Sequence, residues 1–292
     1  MIVNKSNLSI IFTAFKTAFN AGFRDATPQW QRIATLVPST TKEEKYGWLG
    51  QFPRLREWVG DRQVKSIALH DYSIKNKKFE ATIAVPRDDI DDDSYGLMAP
   101  LFQEMGFAAA THPDELVFTL LASGFTTACY DGQYFFDTDH SVNATSVSNM
   151  QAGSAEPWYL LDTRRPLKPL IFQKRRDYAL KSLVSLEDEQ VFMTDEYRHS
   201  IDARVNAGFG FWQLAFGSKA ALDQTNFNAA YAAMLAFKSD EGRPLGIIPN
   251  ILVTGPANRA AANALLEAQF NSNGSSNTNY KSVELLIVPW LA

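Results

Sequence analysis

Cysteine is all but missing from this chain: Cys129 is the one thiol among 292 residues. That excludes an internal disulfide framework and a zinc site built from cysteines alone. Histidine is scarce too, and three of the four, His70, His112 and His199, fall in different predicted elements with no ligand spacing. No stretch approaches the ~20 consecutive apolar residues that a membrane-spanning helix needs. The apolar run before Phe23 is interrupted by Lys16 and lacks a small-x-small cleavage site, so it does not read as a secretory leader. Neither sign of charge dominates, since 28 basic and 32 acidic side chains leave a formal charge of -4. A basic stripe of the kind that coats DNA is therefore not expected. These absences point to a soluble intracellular protein.

Catalytic signatures are missing as well. The chain has no Gly-x-Ser-x-Gly elbow, no phosphate-binding Gly-x4-Gly-Lys-Ser/Thr loop and no His-Glu-x-x-His. Gly208-Phe209-Gly210 opens a dinucleotide-like fingerprint, but Gln213 stands where its third glycine belongs. Gly255-Pro256, which could offer N–H groups to an anion, reads equally well as a plain strand-to-helix turn.

What the chain does have is apolar substance: 46% of residues are hydrophobic and 12% aromatic, enough for a sizeable core. Leu8, Ile11, Phe12, Phe15, Ala18 and Phe19 recur at helical spacing, which predicts an N-terminal helix with a phenylalanine-rich face. Residues 28–60 show no period, and Trp30, Trp48 and Trp58 suggest an arm lying across another surface. Val64 to Val85 reads as a β-hairpin, with Phe79, Ala81, Ile83 and Val85 alternating on its second limb and a basic tip at Lys75-Asn76-Lys77-Lys78. A long helical element is predicted from Asp91 to Thr127, with a second start at Thr111 and an interruption or bend near Pro113. Strands follow between Trp158 and Phe172 and between Gln190 and Phe216. The last seventy residues read as a separate α/β layer, with helices at 227–237 and 256–270 and strands at 247–253 and 283–288.

Three charged clusters could carry chemistry. Asp88, Asp89, Asp91, Asp92 and Asp93 suit a calcium ion by their hardness, but they lack the EF-hand offsets, and caps at a helix start explain them better. Asp137-Thr138-Asp139-His140 could chelate a divalent metal or supply an acid and a base. Aspartates and a histidine also suit a turn leaving the aromatic strand Tyr134-Phe135-Phe136, and that reading carries more weight. Lys174-Arg175-Arg176 fits a solvated or intersubunit face better than a nucleic-acid reader. The residues themselves name no enzyme, catalytic group, cofactor or metal site.

Several stretches resemble the phage Mu major head subunit family. They are residues 130–140 (YDGQYFFDTDH), 158–163 (WYLLDT), 167–173 (LKPLIFQ), 237–246 (FKSDEGRPLG) and the closing 288–292 (VPWLA), which run in the family's order over most of the chain. The last match implies a complete chain. The resemblance implies the α+β capsid fold of the Hong Kong 97 phage type, divided as N-terminal arm 1–46, E-loop region 47–87, spine helix 88–128, mostly β-rich peripheral region 129–219 and α/β axial region 220–292. Because the α/β unit comes last, a permuted element order is implied.

The function implied is that of a major capsid protein which self-assembles as hexamers and pentamers into an icosahedral shell enclosing double-stranded DNA, without sequence-specific contact or a membrane. Implied partners are a scaffold protein, a portal, a maturation protease and a decoration protein. The implied location is the virion capsid, assembled in the bacterial cytoplasm. Intersubunit contacts are expected from Trp30, Trp48 and Trp58, and from Lys75, Lys77 and Lys78 meeting Asp88, Asp89, Asp91, Asp92 and Asp93 next door. The alternatives are an encapsulin-like cargo shell and a metal-dependent enzyme using Asp137, Asp139 and His140.

Overall fold

The apolar stripe near the N-terminus forms α1 (Lys5–Asp25), with Leu8, Ile11, Phe15 and Phe19 buried. The structure, a computed structural model, describes residues 5–49, 71–92, 94–183 and 189–292. After a single turn of 3-10 helix at Trp30–Arg32 come β1 (Ala34–Pro38) and β2 (Glu43–Lys45). They are followed by β3 (Ser73–Lys75), β4 (Lys77–Pro86) and the short α2 (Arg87–Asp91). A longer helix, α3 (Ala99–Ala122), buries Phe102, Met105, Ala109, Val117, Phe118 and Leu121.

The helix α3 runs unbroken through Pro113, so the second start expected at Thr111 does not occur. The Thr111 hydroxyl instead donates back to the Phe107 carbonyl at 3.1 Å, bonding within the preceding turn. Helices α1 and α3 cross where each presents a glycine. A Cβ on Gly22 would lie 1.8 Å from the Gln103 carbonyl oxygen, and one on Gly106 would lie 2.0 Å from that of Phe19. The two backbones meet there without side chains between them.

Among the described residues the predicted hairpin is not formed. Residues 64–70 lie outside the described residues, β3 pairs antiparallel with β2, and β4 pairs antiparallel with a later strand. Asn76, expected at an exposed tip, is buried: its amide donates to Ser39 Oγ at 2.8 Å and to the Thr41 carbonyl at 3.0 Å. It pins the chain where it passes from one sheet to another. Lys75, Lys77 and Lys78 are exposed around it.

Two small strands, β5 (His140–Val142) and β6 (Thr145–Val147), precede β7 (Met150–Gln151) and β8 (Trp158–Leu161). Then come β9 (Leu170–Leu183), α4 (Glu189–Thr194) and β10 (Glu196–Phe209). The start of the segment read as strands, near Gln190, is therefore helical. The chain ends through β11 (Ala215–Ser218), α5 (Gln224–Leu235), β12 (Ile251–Thr254), α6 (Arg259–Leu266) and β13 (Glu284–Ile287).

The larger strands form a four-stranded sheet in the order β1-β9-β10-β4 and a five-stranded sheet in the order β13-β12-β8-β11-β7. Along β10, Tyr197, His199, Ile201, Ala203 and Val205 turn inward at every second position. This is the alternation of a sheet covered on one face, here by α1 and α3. Strands β8, β11 and β12 are buried throughout, without alternation, as central strands are.

The terminal α/β segment is not a layer apart. Strand β8 pairs with both β11 and β12, so the long β9–β10 hairpin is inserted between strands of one sheet. A division at residue 219 passes through that sheet and through the core beneath it, which joins Trp158 and Phe209 to Phe227, Met234 and Leu266.

Candidate functional site

The turn leaving Phe135 and Phe136 was the best enzymatic candidate, and the structure separates its members. The Asp137 carboxylate accepts the N–H of Thr138 at 2.7 Å and that of Tyr134 at 3.2 Å, closing the turn locally. Asp139 is exposed, and the neighbouring Asp137 carboxylate raises its pKa. His140 points inward and is fully buried, with its ring stacked on Trp212 at 4.0 Å between centroids. The metal-dependent trio Asp137, Asp139 and His140 is therefore not assembled.

His140 meets a different carboxylate, which the sequence reading did not single out. Its Nδ1 lies 2.7 Å from Asp131 Oδ2, while the Cys129 thiol donates to Asp131 Oδ1 at 3.1 Å. The Gln133 N–H donates to the same Oδ1 at 3.1 Å. Among the described residues these are the metal-type donors that converge, with ligand atoms of Cys129, Asp131 and His140 within 4.8 Å of one another. Hydrogen bonds account for the arrangement. Burial alone would raise the Asp131 carboxyl, but the bonds from His140 and Cys129 hold it below the ordinary carboxylate range. Burial, followed by the Asp131 charge, pushes the Cys129 thiol well up, so it stays protonated and is a poor nucleophile. The cluster clamps a turn.

Other motif residues act in the same way. Asp162, buried at the end of β8, accepts the Arg164 guanidinium at 2.8 Å and the Ile248 N–H at 2.9 Å. Burial opposes its charge, yet Arg164 and these N–H donors hold the carboxyl below its usual range. Gln173 on β9 accepts the Tyr46 hydroxyl at 2.7 Å and donates to the Ile74 carbonyl at 3.0 Å, tying β3 and the residue after β2 to the four-stranded sheet. A groove of about 470 Å³ lies between β4 and α3, lined by Phe79, Ile83, Leu101, Met105, His112 and Tyr178. It is apolar, and its His112 and Tyr178 are bonded to each other at 2.6 Å. No nucleophile and base meet there.

The residues expected at intersubunit contacts divide. Trp30 is 6% exposed and packs on Phe172 at 4.6 Å between ring centroids, so it anchors the subunit's own core rather than a neighbour. Trp48 is 44% exposed beside Phe211. Trp58 and Asp93 lie outside the described residues. Asp88 and Asp89 occupy the first turn of α2, near the positive end of its dipole, with no side-chain cap bond. Asp91 pairs with Arg87 at 3.8 Å, and Asp92 is exposed. A surface feature with no periodic signal is α4, where Phe192 and Met193 are 83% and 71% exposed.

A subunit whose polar clusters, among the described residues, tie its own elements together, and whose surface carries charged and apolar patches, has the character of a building block. Comparison with known proteins agrees. The chain is 40% identical to the major capsid protein of Escherichia phage Mu over the whole of both chains. It is 42% identical to the Mu-like prophage FluMu major head subunit of Haemophilus influenzae, with 95% of each chain covered. Among solved structures, it superposes on the procapsid protein of bacteriophage JBD30 with a TM-score of 0.89 at 47% identity, covering 99% of this chain and 100% of that one. The capsid of the same phage matches with a TM-score of 0.82 at 36% identity over the whole of both chains. The fold is the Hong Kong 97-type capsid fold. The family described as "Mu-like prophage major head subunit gpT" matches residues 8–291, and the chain belongs to it.

Proposed function

We propose that this chain is the major capsid protein of a Mu-like phage or prophage, and that copies of it close into hexamers and pentamers of an icosahedral shell around double-stranded DNA. The observation that carries this reading is the full-length match to head subunits and to the JBD30 procapsid. The role is structural, not enzymatic. A net charge of -4 suits a container whose wall must not grip the DNA packed inside it. No encapsulin-like cargo shell or metal enzyme is supported by the relatives.

The two sheets suggest how the regions divide. The segment up to residue 46 is read as the arm, 47–87 as the E-loop region, and 88–128, with α3 at its centre, as the spine. The four-stranded sheet fits the peripheral portion, and the five-stranded sheet with α5 and α6 fits the axial portion. The JBD30 capsid occurs decorated with minor capsid protein trimers, which supports a decoration partner here too. A scaffold, a portal and a maturation protease complete the proposed assembly, which takes place in the host cytoplasm. Electron microscopy of the expressed chain, with and without a co-expressed scaffold, tests the proposal. Shells, tubes or five- and six-membered rings are expected, and a uniform small species under both conditions would refute it.

A further inference from the structure

The four-stranded sheet carries two patches of opposite charge. At one end β4 runs into α2, and α4 leads into β10. The Arg87 N–H donates to the Asp195 carbonyl at 3.0 Å and so joins the two connections. Asp88, Asp89, Asp92, Glu189 and Asp195 gather there, and the ion pairs at this end among the described residues include Arg87 with Asp91 and Asp195, at 3.8 and 3.6 Å, and Arg198 with Glu196 at 3.8 Å. Phe192 and Met193 project from α4 within this acidic end, and with Leu97 they are the most exposed large apolar side chains among the described residues.

Where β4 begins, further along β10, the strand register brings cations together. On the face away from α1 and α3, Lys78 is opposite Arg204 and Arg204 is opposite Arg176, while Lys77 and Lys174 flank the inward-facing Val205 on the other face. Asp177 and Asp202 balance part of this charge by pairing with Lys174, Arg176 and Lys181. Lys75, Lys77, Lys78 and Arg175 are exposed and make no ion pair among the described residues. Along β10, Glu196 and Arg204 are eight residues apart, about 26 Å at strand rise. That is roughly three Debye lengths at physiological salt, too far for the two patches of one subunit to neutralise each other.

We infer that the acidic end of the sheet, tipped by Phe192 and Met193, docks on the basic β4–β10–β9 patch of a second copy of this chain. The inference rests on the shell reading above and adds a specific contact to it. An apolar centre inside a charged rim is the anatomy of a binding hot spot, and the lysine stems opposite offer methylene surface to receive it. The two patches differ, so the contact is heterologous. After one contact the first copy still has its basic patch free and the second its acidic patch, so the contact propagates until a ring closes.

A charge-swap series tests the contact in the full chain, with shells counted by gradient sedimentation and electron microscopy. K75E/K77E/K78E and D88K/D89K/D92K should each lower the shell yield by about tenfold or more. F192S/M193S should do the same. The melting temperature of the unassembled subunit should stay at the wild-type value for K75E/K77E/K78E and F192S/M193S, and fall by no more than a few degrees for D88K/D89K/D92K, which puts lysines at the positive end of α2. Combining both reversals in one chain restores the attraction with its sign exchanged, and the yield should return to within about threefold of wild type. Reversals that assemble like wild type, or a combined variant no better than either reversal, would overturn this contact and leave the shell reading standing. If the wild-type chain forms no shells at all, the shell reading falls and takes this contact with it.

Discussion

Asp114, on the buried side of α3, accepts the backbone N–H of Trp30 at 2.7 Å, and that of Gln29 at 2.9 Å, across more than eighty residues of sequence. Its carboxylate thereby fixes the turn that places the Trp30 ring on Phe172. Burial raises the Asp114 pKa, and the two N–H bonds draw it back. Asp114→Ala leaves both donors without a partner and should cost about 2–4 kcal/mol of subunit stability. Asp114→Asn keeps an acceptor and should cost less than half as much. Denaturant unfolding of the unassembled subunit measures both, and equal costs would show that the acceptor oxygen is not what matters.

The glycine crossing of α1 and α3 gives a second expectation. Gly106→Ala would place a methyl 2.0 Å from the Phe19 carbonyl oxygen, a backbone atom that cannot rotate away. Helix α1 should then lift from α3, with a loss of about 2 kcal/mol or more and early proteolytic release of the N-terminal segment. Gly96→Ala is the control, because nothing lies within 4 Å of a Cβ there. If both variants resist protease as the wild type does, the close approach is not rigid.

His199 supplies a pH dependence. It is buried among Phe12, Phe15 and Phe102, and burial lowers its pKa from about 6.5 to about 4. The unfolded chain takes up the proton first as the pH falls. Stability is therefore full above pH 6.5, declines between 6.5 and 4, and is not altered further by this group below 4. The full loss is about 3 kcal/mol. His199→Phe should flatten the decline between pH 6.5 and 5, a window above the range in which most carboxylates titrate. Urea midpoints measured across that window decide it, and an unchanged slope would assign the titration elsewhere.

The elements that the sequence determined by itself are those whose neighbours along the chain carry the signal. The stripe Leu8–Phe19 made α1, the alternation Phe79–Val85 made β4, and the alanine-rich and proline-opened segments became α5 and α6. Family membership was also legible, because the motif stretches are local strings. Several of their residues proved to be ties between distant segments, such as Asp162 to Ile248 and Gln173 to Ile74.

Partnership across the chain was decided only by the tertiary structure. Strand β4 has the period of a hairpin limb whichever strand it pairs with, and the choice of β10 over β3 depends on the surface that α1 and α3 cover. The Asp-Thr-Asp-His string could not reveal that His140 turns inward to Asp131 and Trp212 while Asp137 and Asp139 stay in the turn. Nor could Phe192 and Met193 announce that the single subunit leaves them exposed, since a helix of six residues is too short to show a face. Local periodicity reports which side of an element is apolar; what that side meets is set by packing between segments far apart in sequence.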